Sequence, residues 1–483
     1  MKTKTKIGKE FYGLNFLNRS FKWFIFFILL ALQSWTNEII SPVKPDSPVE
    51  SELRVSTFDI DVTPPVGYPL AYDIEINKWD LGLRAKGIVI LGAGKPIVLC
   101  AIDAIGIGDE GNVLFRQALA AAAGTTPERV SVHTLHQHDA PRFDPSAEKL
   151  LLEAGHDPKA YQHIEFDGTW GRETISNLTI AVRKSLSRSQ PVNYIGLGKA
   201  AVHEVVSNRD IYKDKNGKVI RPRFSSTKGD SLLRSLPVGT VDSTVSVVSF
   251  WDDDKPVAIL SFFATHPQSY YRTGIANPDF VGVARFFRQL AVPDALHIHF
   301  NGAAGDVAAG KYNDGSHIMR LVLAERLADG MKRAWEATKR QPVTAKDVDW
   351  FIDPVALPPN KDLYKLRREL QKNDTVLTAP IAQKIVFLNR YEAGEKIDCG
   401  CLKIKNARIL FMPGELFVEY QLAAKAMRPD LFVTMAAYGD YGTSYIGTAE
   451  AYGNGGYETS DQSNVSPGSE GILMKAMQTL LNR

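Results

Sequence analysis

The stretch "RAKGIVILGAGKPIVLCAIDAIGIG" (Arg84–Gly108) carries the main fold signal of this chain. Two apolar, β-rich runs are joined by Gly92-Ala93-Gly94-Lys95-Pro96, the composition of a hairpin turn. Working outward, "VSTFDIDVTPP" (Val55–Pro65) alternates and then stops at a double proline, as a strand does. On the other side, "NVLFRQALAAAAG" predicts a helix ended by Gly124, and "RVSVHTLH" returns to strand. A second hairpin follows in "TVSVVSFWDDDKPVAILSFFATH", turning at Asp-Asp-Asp-Lys-Pro. Helical patterns then alternate with strand-like runs: "FVGVARFFRQL" before "ALHIHF", and "LFVEYQLAAKAM" between "NARILFMPG" and "LFVTMAAY". Further helical patterns are "ETISNLTIAVRKSL", "IMRLVLAERLADGMKRAWEAT", two within 362–395, and the closing "GILMKAMQTLLN". Hairpins mixed with helices predict an α/β fold of mixed β-sheets with flanking helices, not a regular βαβ barrel. One large catalytic domain from 54 to 483 is expected, with the Lys/Arg/Ser/Gly-rich segment 203–240 as a long loop and no sequence repeat at 20–50 residues.

Composition sets the class. Of 483 residues, 44% are hydrophobic and 23% charged, which is ordinary for a globular protein. Residues 1–34 read as a signal peptide or N-terminal anchor: Lys2, Lys4, Lys6, Lys9, Arg19 and Lys22 precede or flank the apolar "WFIFFILLAL". That core is shorter than the ~20 residues of a membrane span. The expected location is therefore exported: periplasmic, extracellular or membrane-anchored by the N-terminus, with contact to a membrane surface allowed. Residues 35–53 are Pro/Ser/Glu-rich and read as a linker. The leader holds six bases and one acid, so a chain of net charge +3 becomes −2 without it. No nucleic-acid footprint remains. Cys100, Cys399 and Cys401 lack the spacing of a redox or zinc motif. Nothing in the sequence fixes the oligomeric state.

The unusual polar residues collect just past the ends of apolar strands, where ligands of α/β sheets bind. "RVSVHTLHQHD" delivers His136 and His138; "VAILSFFATHP" delivers His266; "ALHIHFNGAAGD" delivers Asn301 and Asp306; "ARILFMPGE" delivers Glu415 at a helix start. His136 and His138 are two apart, so in extended chain they share a face. Such a pair is a metal or acid/base device, or two hydrogen-bonded core histidines. His133 has the other parity and reads as framework. His266 after an apolar strand needs a polar partner or a metal, while Glu415 on its own fits a helix dipole. A glycine-rich stretch, 438–458, presents Tyr438, Tyr441, Tyr445, Tyr452 and Tyr457. An HxHxDH zinc-hydrolase motif is excluded, because Asp139-Ala140-Pro141 follows His138 with no third histidine in register. "ILGAGKPIV" lacks phosphate-loop spacing.

Six blocks, in order across about 55–460, resemble the neutral/alkaline non-lysosomal ceramidases and their bacterial relatives. They are "DIDVTPPVG", "LHQHDAP", "FFATHPQS" with "NPDFVGVAR", "NGAAGDVAA", "MPGELF" and "SYIGTAEAY" with "GGYE". The resemblance covers the family's N-terminal catalytic domain only. It implies one catalytic Zn2+ held by His136, His266, Glu415 and Tyr445, with His138 in proton transfer. "SNRD" is similar to the family's Asn-Arg-Ser, which implies Arg209 as a substrate-polarising group, and Tyr457 matches a further active-site tyrosine. The implied reaction is hydrolysis of a linear N-acyl amide in lipid metabolism, by a zinc-activated water.

Two departures shape that expectation. Ala308 stands where the family has serine, which excludes a serine nucleophile there and leaves the zinc route intact. Asp139 places an extra carboxylate beside the histidines. Together with the charged 209–230 loop, it suits a substrate more polar than a two-tailed lipid. The substrate is thus a small molecule, lipid or glycan. Alternative readings are a zinc-dependent deacylase or esterase acting on a sugar or glycan, or a non-catalytic binding protein that retains the fold.

Overall fold

A computed structural model of the chain describes residues 52–78, 80–156 and 167–483. The expected export segment and nearly all of the expected linker lie outside the described residues. Ser51–Arg483 forms one compact unit.

Three mixed sheets build the unit. In the first, β1 (Arg54–Asp61), β2 (Arg84–Gly92), β3 (Gly94–Ile102), β4 (Val130–Thr134) and β5 (Gln190–Pro191) lie in the order β4-β3-β2-β1-β5. The second holds β6 (Tyr194–Ala201), β7 (Thr244–Asp252), β8 (Lys255–Phe263), β9 (Leu296–Asn301) and β10 (Lys339–Pro342), ordered β9-β8-β7-β6-β10. The third runs β11 (Val348–Val355), β12 (Ile397–Ile404), β13 (Ala407–Phe411), β14 (Phe432–Ala436) in sequence order. The α/β class is as expected, without a closed barrel among the described residues.

One topology recurs in all three sheets. A hairpin (β2–β3, β7–β8, β12–β13) is followed by a helix, and a further strand then pairs in parallel with the second hairpin strand. The helices are α1 (Glu110–Ala123), α2 (Asp279–Ala291) and α3 (Val418–Met427). Each is amphipathic enough to cover its sheet: Phe115, Leu119 and Ala122 of α1, and Phe280, Val281 and Ala284 of α2, are buried. α1 ends as the sequence dictates, with Gly124 left-handed (φ 70°) and its N–H on the Ala120 carbonyl. The central strands are buried on both faces, so they read as continuous apolar runs, as in "PIVLCAI". This recurrence is topological. It leaves no periodic sequence trace because only hydrophobic pattern is shared.

The strand ends are tied together across the sheets. Thr134 N–H donates to the Tyr438 carbonyl (3.0 Å), and Ala437 N–H to the Asn301 carbonyl (2.9 Å). A single apolar core runs from Val55 and Leu99 through Val247 and Phe262 to Ile409 and Phe411. The C-terminal ends of β4, β8, β13 and β14 thereby face one region.

Five of these strands escaped the sequence reading, of which β5 and β10 are short edge pieces. β6 ("YIGLGKAA") and β12 ("IDCGCLKI") contain glycines and β-neutral residues that blunt the strand pattern. β11 ("VDWFIDPV") carries Pro354. The 203–240 segment is irregular apart from short pieces, among them Ser207–Asn208 paired with Val307–Ala308. Among the described residues no helix is long and apolar enough to cross a membrane.

Candidate metal centre and active site

His136 and His138 follow β4 but do not share a strand face, because the strand stops at Thr134. The turn is set instead by backbone conformation. His136 has φ 64°, uncommon for a residue with a Cβ. Its N–H bonds the Ala104 carbonyl (2.9 Å), and its Nδ1 bonds the Ile105 carbonyl (2.6 Å). Strain of this kind persists only where surroundings over-determine it. The surroundings here include Gln137, whose amide donates to Asp103 Oδ1 (2.9 Å), while Arg285 of α2 grips the same carboxylate at 2.9 and 2.6 Å. His133 is framework, as expected: Nδ1 meets the Ala437 carbonyl (2.7 Å) and Nε2 meets Ser131 Oγ (2.8 Å).

His266 lies just beyond β8. Its N–H bonds the Val307 carbonyl (3.0 Å), and it forms a parallel bridge with Ala308. Glu415 is not in a helical first turn. Glu415–Leu416 is a short strand paired in parallel with Tyr445–Ile446, Glu415 directly beside Tyr445, and α3 starts only at Val418. The dipole role read from sequence is therefore replaced by strand pairing. Two glycines permit this approach. Gly414 is left-handed (φ 59°), and a Cβ on Gly305 would sit 2.4 Å from the Glu415 carbonyl oxygen.

These elements bring the side chains together. The ring nitrogens of His136, His138 and His266 offer ligand atoms all within 4.8 Å of one another. Glu415 Oε2 lies 3.2 Å from His136 Nε2 and 3.9 Å from His266 Nδ1. His136, His266 and Glu415 are 2%, 1% and 1% exposed. Because His136 Nδ1 faces a carbonyl, it carries the proton, and Nε2 presents a lone pair toward Glu415 Oε2. In a buried site such a pair is satisfied by a cation between the two atoms, either a proton on Nε2 or a metal ion. His266 Nδ1, His138 Nδ1 and Glu415 Oε2 all lack hydrogen-bond partners. Imidazoles and a carboxylate are a donor set that fits a divalent transition metal.

The electrostatics agree with this fit. Burial, then His136 and Arg209, holds His138 and His266 well below the usual histidine value, so both rings are neutral and ligand-competent. Burial opposes ionisation of Glu415, but His136 and the Tyr441 hydroxyl (2.7 Å from Oε1) keep it below the ordinary carboxyl value.

Tyr445 is the least direct of the expected ligands. Its ring is parallel to His266 at 6.4 Å, and its hydroxyl accepts from Arg209 Nη1 at 3.3 Å. Burial, then Glu415, raises its phenol well above the usual value, while Arg209 works the other way. Arg209 also donates to the Gly305 carbonyl (3.1 Å), and its Nε approaches Glu458 Oε1 at 2.9 Å. Burial acts against the guanidinium's charge, and Glu458 and Tyr445 more than offset it. Tyr457 is 40% exposed and stands at the cavity wall, 6.1 Å ring to ring from Tyr445.

The sequence reading missed Tyr441, Glu458, Asp103, Arg285 and the Ile105 carbonyl. Tyr441 lay in the flagged tyrosine stretch, and nothing in the sequence ranked it. Two acids change meaning. Asp139 does not face the centre: its carboxylate accepts from Arg272 N–H (2.8 Å), Thr273 Oγ1 (2.8 Å) and Asn277 Nδ2 (3.2 Å), clamping the 272–277 loop. Asp306 accepts from Asn208 Nδ2 (2.7 Å) and from Val418 N–H at the start of α3 (2.8 Å).

The centre opens into a cavity of about 990 Å³ lined by His138, Arg209, His266, Tyr445 and Tyr457. A second cavity of about 550 Å³ reaches His136, Glu415 and Tyr441 and shares His138, Tyr445 and Tyr457.

No family model matches the sequence, and none of the curated proteins does. By structure the chain is similar to a ceramidase described as complexed with C2, at TM-score 0.63 and 15% identity over 89% of this chain and 75% of that one. It is also similar to neutral ceramidase from Pseudomonas aeruginosa, at TM-score 0.62 and 16% identity over the same shares. The chain therefore has the fold of the neutral ceramidases.

Proposed function

We propose that this chain is an exported zinc-dependent hydrolase of a linear N-acyl amide. The observation that carries the reading is the buried approach of His136 Nε2 to Glu415 Oε2, 3.2 Å apart, beside the unpartnered His266 Nδ1 in a cluster of three histidines. His136, His266 and Glu415 would hold the metal, with Tyr445 as a fourth ligand once its proton is lost. Zinc in such a site supplies a water activated near neutral pH and polarisation of the amide carbonyl.

The protein's own groups do the rest. Arg209 is fixed by Glu458, Gly305 and Tyr445, so its guanidinium is aimed without reorganisation, and it donates to the oxyanion that develops on the amide oxygen. Tyr457 adds a hydroxyl at the same cavity wall. His138 is neutral, stacked on Tyr72 at 5.5 Å and an interplanar angle of 6°. It takes a proton from the attacking water and passes it to the leaving amine. Tyr441 holds Glu415 in its rotamer from behind. The cavity takes a small organic substrate, and the fold's likeness to ceramidases supports an amide as the scissile bond.

The test is amine release by the purified full chain from short N-acyl probes, with and without chelator. Activity should require zinc and fall at least ~10³-fold in His136→Ala and Glu415→Gln. Amine release that survives both chelation and these substitutions would sink the reading.

A further inference from the structure

We infer that the amine side of the scissile amide is an anionic amino sugar bearing a short acyl group, not a long-chain lipid base; this rests on the hydrolase reading above. The warrant is what the 990 Å³ cavity is made of. Its lining contains one aliphatic side chain, Ile275. The adjoining cavity of about 550 Å³ adds only Ala71 and Pro380. Long hydrocarbon tails bind where they leave water for apolar surface, and here that surface is carried chiefly by aromatic rings, with almost no aliphatic lining.

The walls offer aromatic faces and hydrogen-bonding groups. Tyr72 and Tyr271 gather beside His138, with ring centroids 5.0 Å apart. Phe224 and Tyr457 gather beside Arg209, 5.6 Å apart. Phe224, Tyr271 and Tyr457 are each more than a third exposed, so their rings are open to a ligand. Flat faces of amphipathic rings suit the C–H face of a pyranose. Between them Ser226 presents a hydroxyl and Gln268 an amide N–H group suited to sugar hydroxyls, while the Ser225 and Thr273 hydroxyls donate to Gln268 and Asp139. A volume near 990 Å³ exceeds what a single acylated amino acid needs and matches the upper range of organic-ligand pockets.

The charge follows from two cations. Arg272 stacks over Tyr72 and Tyr271 at 5.6 and 5.5 Å, and its guanidinium makes no ion pair among the described residues. Its backbone is pinned by Asp139, which fixes the loop that carries it. Lys228, also lining the cavity, likewise has no ion pair among the described residues. Arg320 is different, being tied to Ser269 and the Tyr270 carbonyl. A planar guanidinium clamped by rings and lacking a carboxylate is disposed to meet a sulfate or carboxylate on the substrate.

The test uses the full chain with three probes: a 6-sulfated N-acetylglucosamine disaccharide, its unsulfated form and a short-chain ceramide. The zinc-loaded protein should hydrolyse the sulfated disaccharide with kcat/KM at least 100-fold above the ceramide. In Arg272→Gln/Lys228→Gln the preference for sulfated over unsulfated sugar should fall at least tenfold. Calorimetry on chelated protein should show the sulfated probe binding, and binding should weaken at least tenfold in the same double variant. Ceramide as the preferred probe, or unchanged discrimination in the double variant, overturns this inference and leaves the hydrolase reading standing. Binding of the sulfated sugar without hydrolysis of any probe overturns the hydrolase reading instead. Neither binding nor hydrolysis of either sugar overturns the inference.

Discussion

Replacing Glu415 with glutamine should have opposite effects on the metal-free and the zinc-bound protein. Without metal, and at alkaline pH with the imidazole neutral, Glu415 Oε2 and His136 Nε2 present two acceptors to one another at 3.2 Å. Glutamine keeps an oxygen for the Tyr441 hydroxyl and turns an amide N–H toward His136 Nε2, exchanging that clash for a hydrogen bond worth about 1 kcal/mol. It also removes a buried carboxylate. Unfolding entropy near 2.1 cal/mol/K per residue gives about 0.9 kcal/mol/K for a unit of this size. The metal-free variant should therefore melt about 1 °C above the parent, or more. With zinc at a thousandfold excess over its Kd, the parent gains about 4.1 kcal/mol, or roughly 4–5 °C. The variant loses the anionic ligand, so most of that gain should vanish. Differential scanning calorimetry on chelated and zinc-saturated samples reads both effects. A variant that melts several degrees lower without metal, or that keeps the full zinc shift, would refute the facing-acceptor reasoning.

Four further outcomes are expected. Tyr441→Phe removes the donor to Glu415 Oε1 and should weaken zinc affinity about 10–100-fold in competition with a chelating dye. Arg285→Met leaves Asp103 buried without its bidentate partner and should cost about 3–5 kcal/mol in denaturant unfolding. His133→Phe should cost about 1–3 kcal/mol, since the Ala437 carbonyl and Ser131 lose their partner, while zinc stoichiometry by mass spectrometry stays at one. Burial, aided by Arg285, pushes His299 down to about 3, below its unfolded value of ~6.5. Its contribution is present above ~6.5 and is lost progressively as pH falls toward 3, so His299→Gln should flatten the acid limb of stability against pH.

The legible parts of this chain were those with local physics. The two hairpins announced themselves by apolar runs around Gly92–Gly94 and Asp252–Lys255, and the turns fall there. His136, His266 and Glu415 stood out because a polar group after an apolar strand needs a reason. Their convergence needed topology: three hairpin–helix–strand units turn their strand ends to one region, which no window of sequence contains. Two local readings gave the right residues for the wrong cause. His136 and His138 meet through a left-handed turn, not strand parity, and Glu415 sits in a β-pair, not a helix start. The hidden residues are long-range partners. Glu458 matters because it lies against Arg209, 249 positions away, and Asp103 because Arg285 reaches it from 182 positions downstream. Asp139 shows the reverse: conspicuous beside the histidines, it is spent on holding a loop.

The most direct test of the central assignment is anomalous diffraction at the zinc edge from crystals grown with zinc. One peak is expected, about 2.0–2.2 Å from His136 Nε2, His266 Nδ1 and Glu415 Oε2. No peak at this position, or a peak held by other side chains, contradicts the assignment.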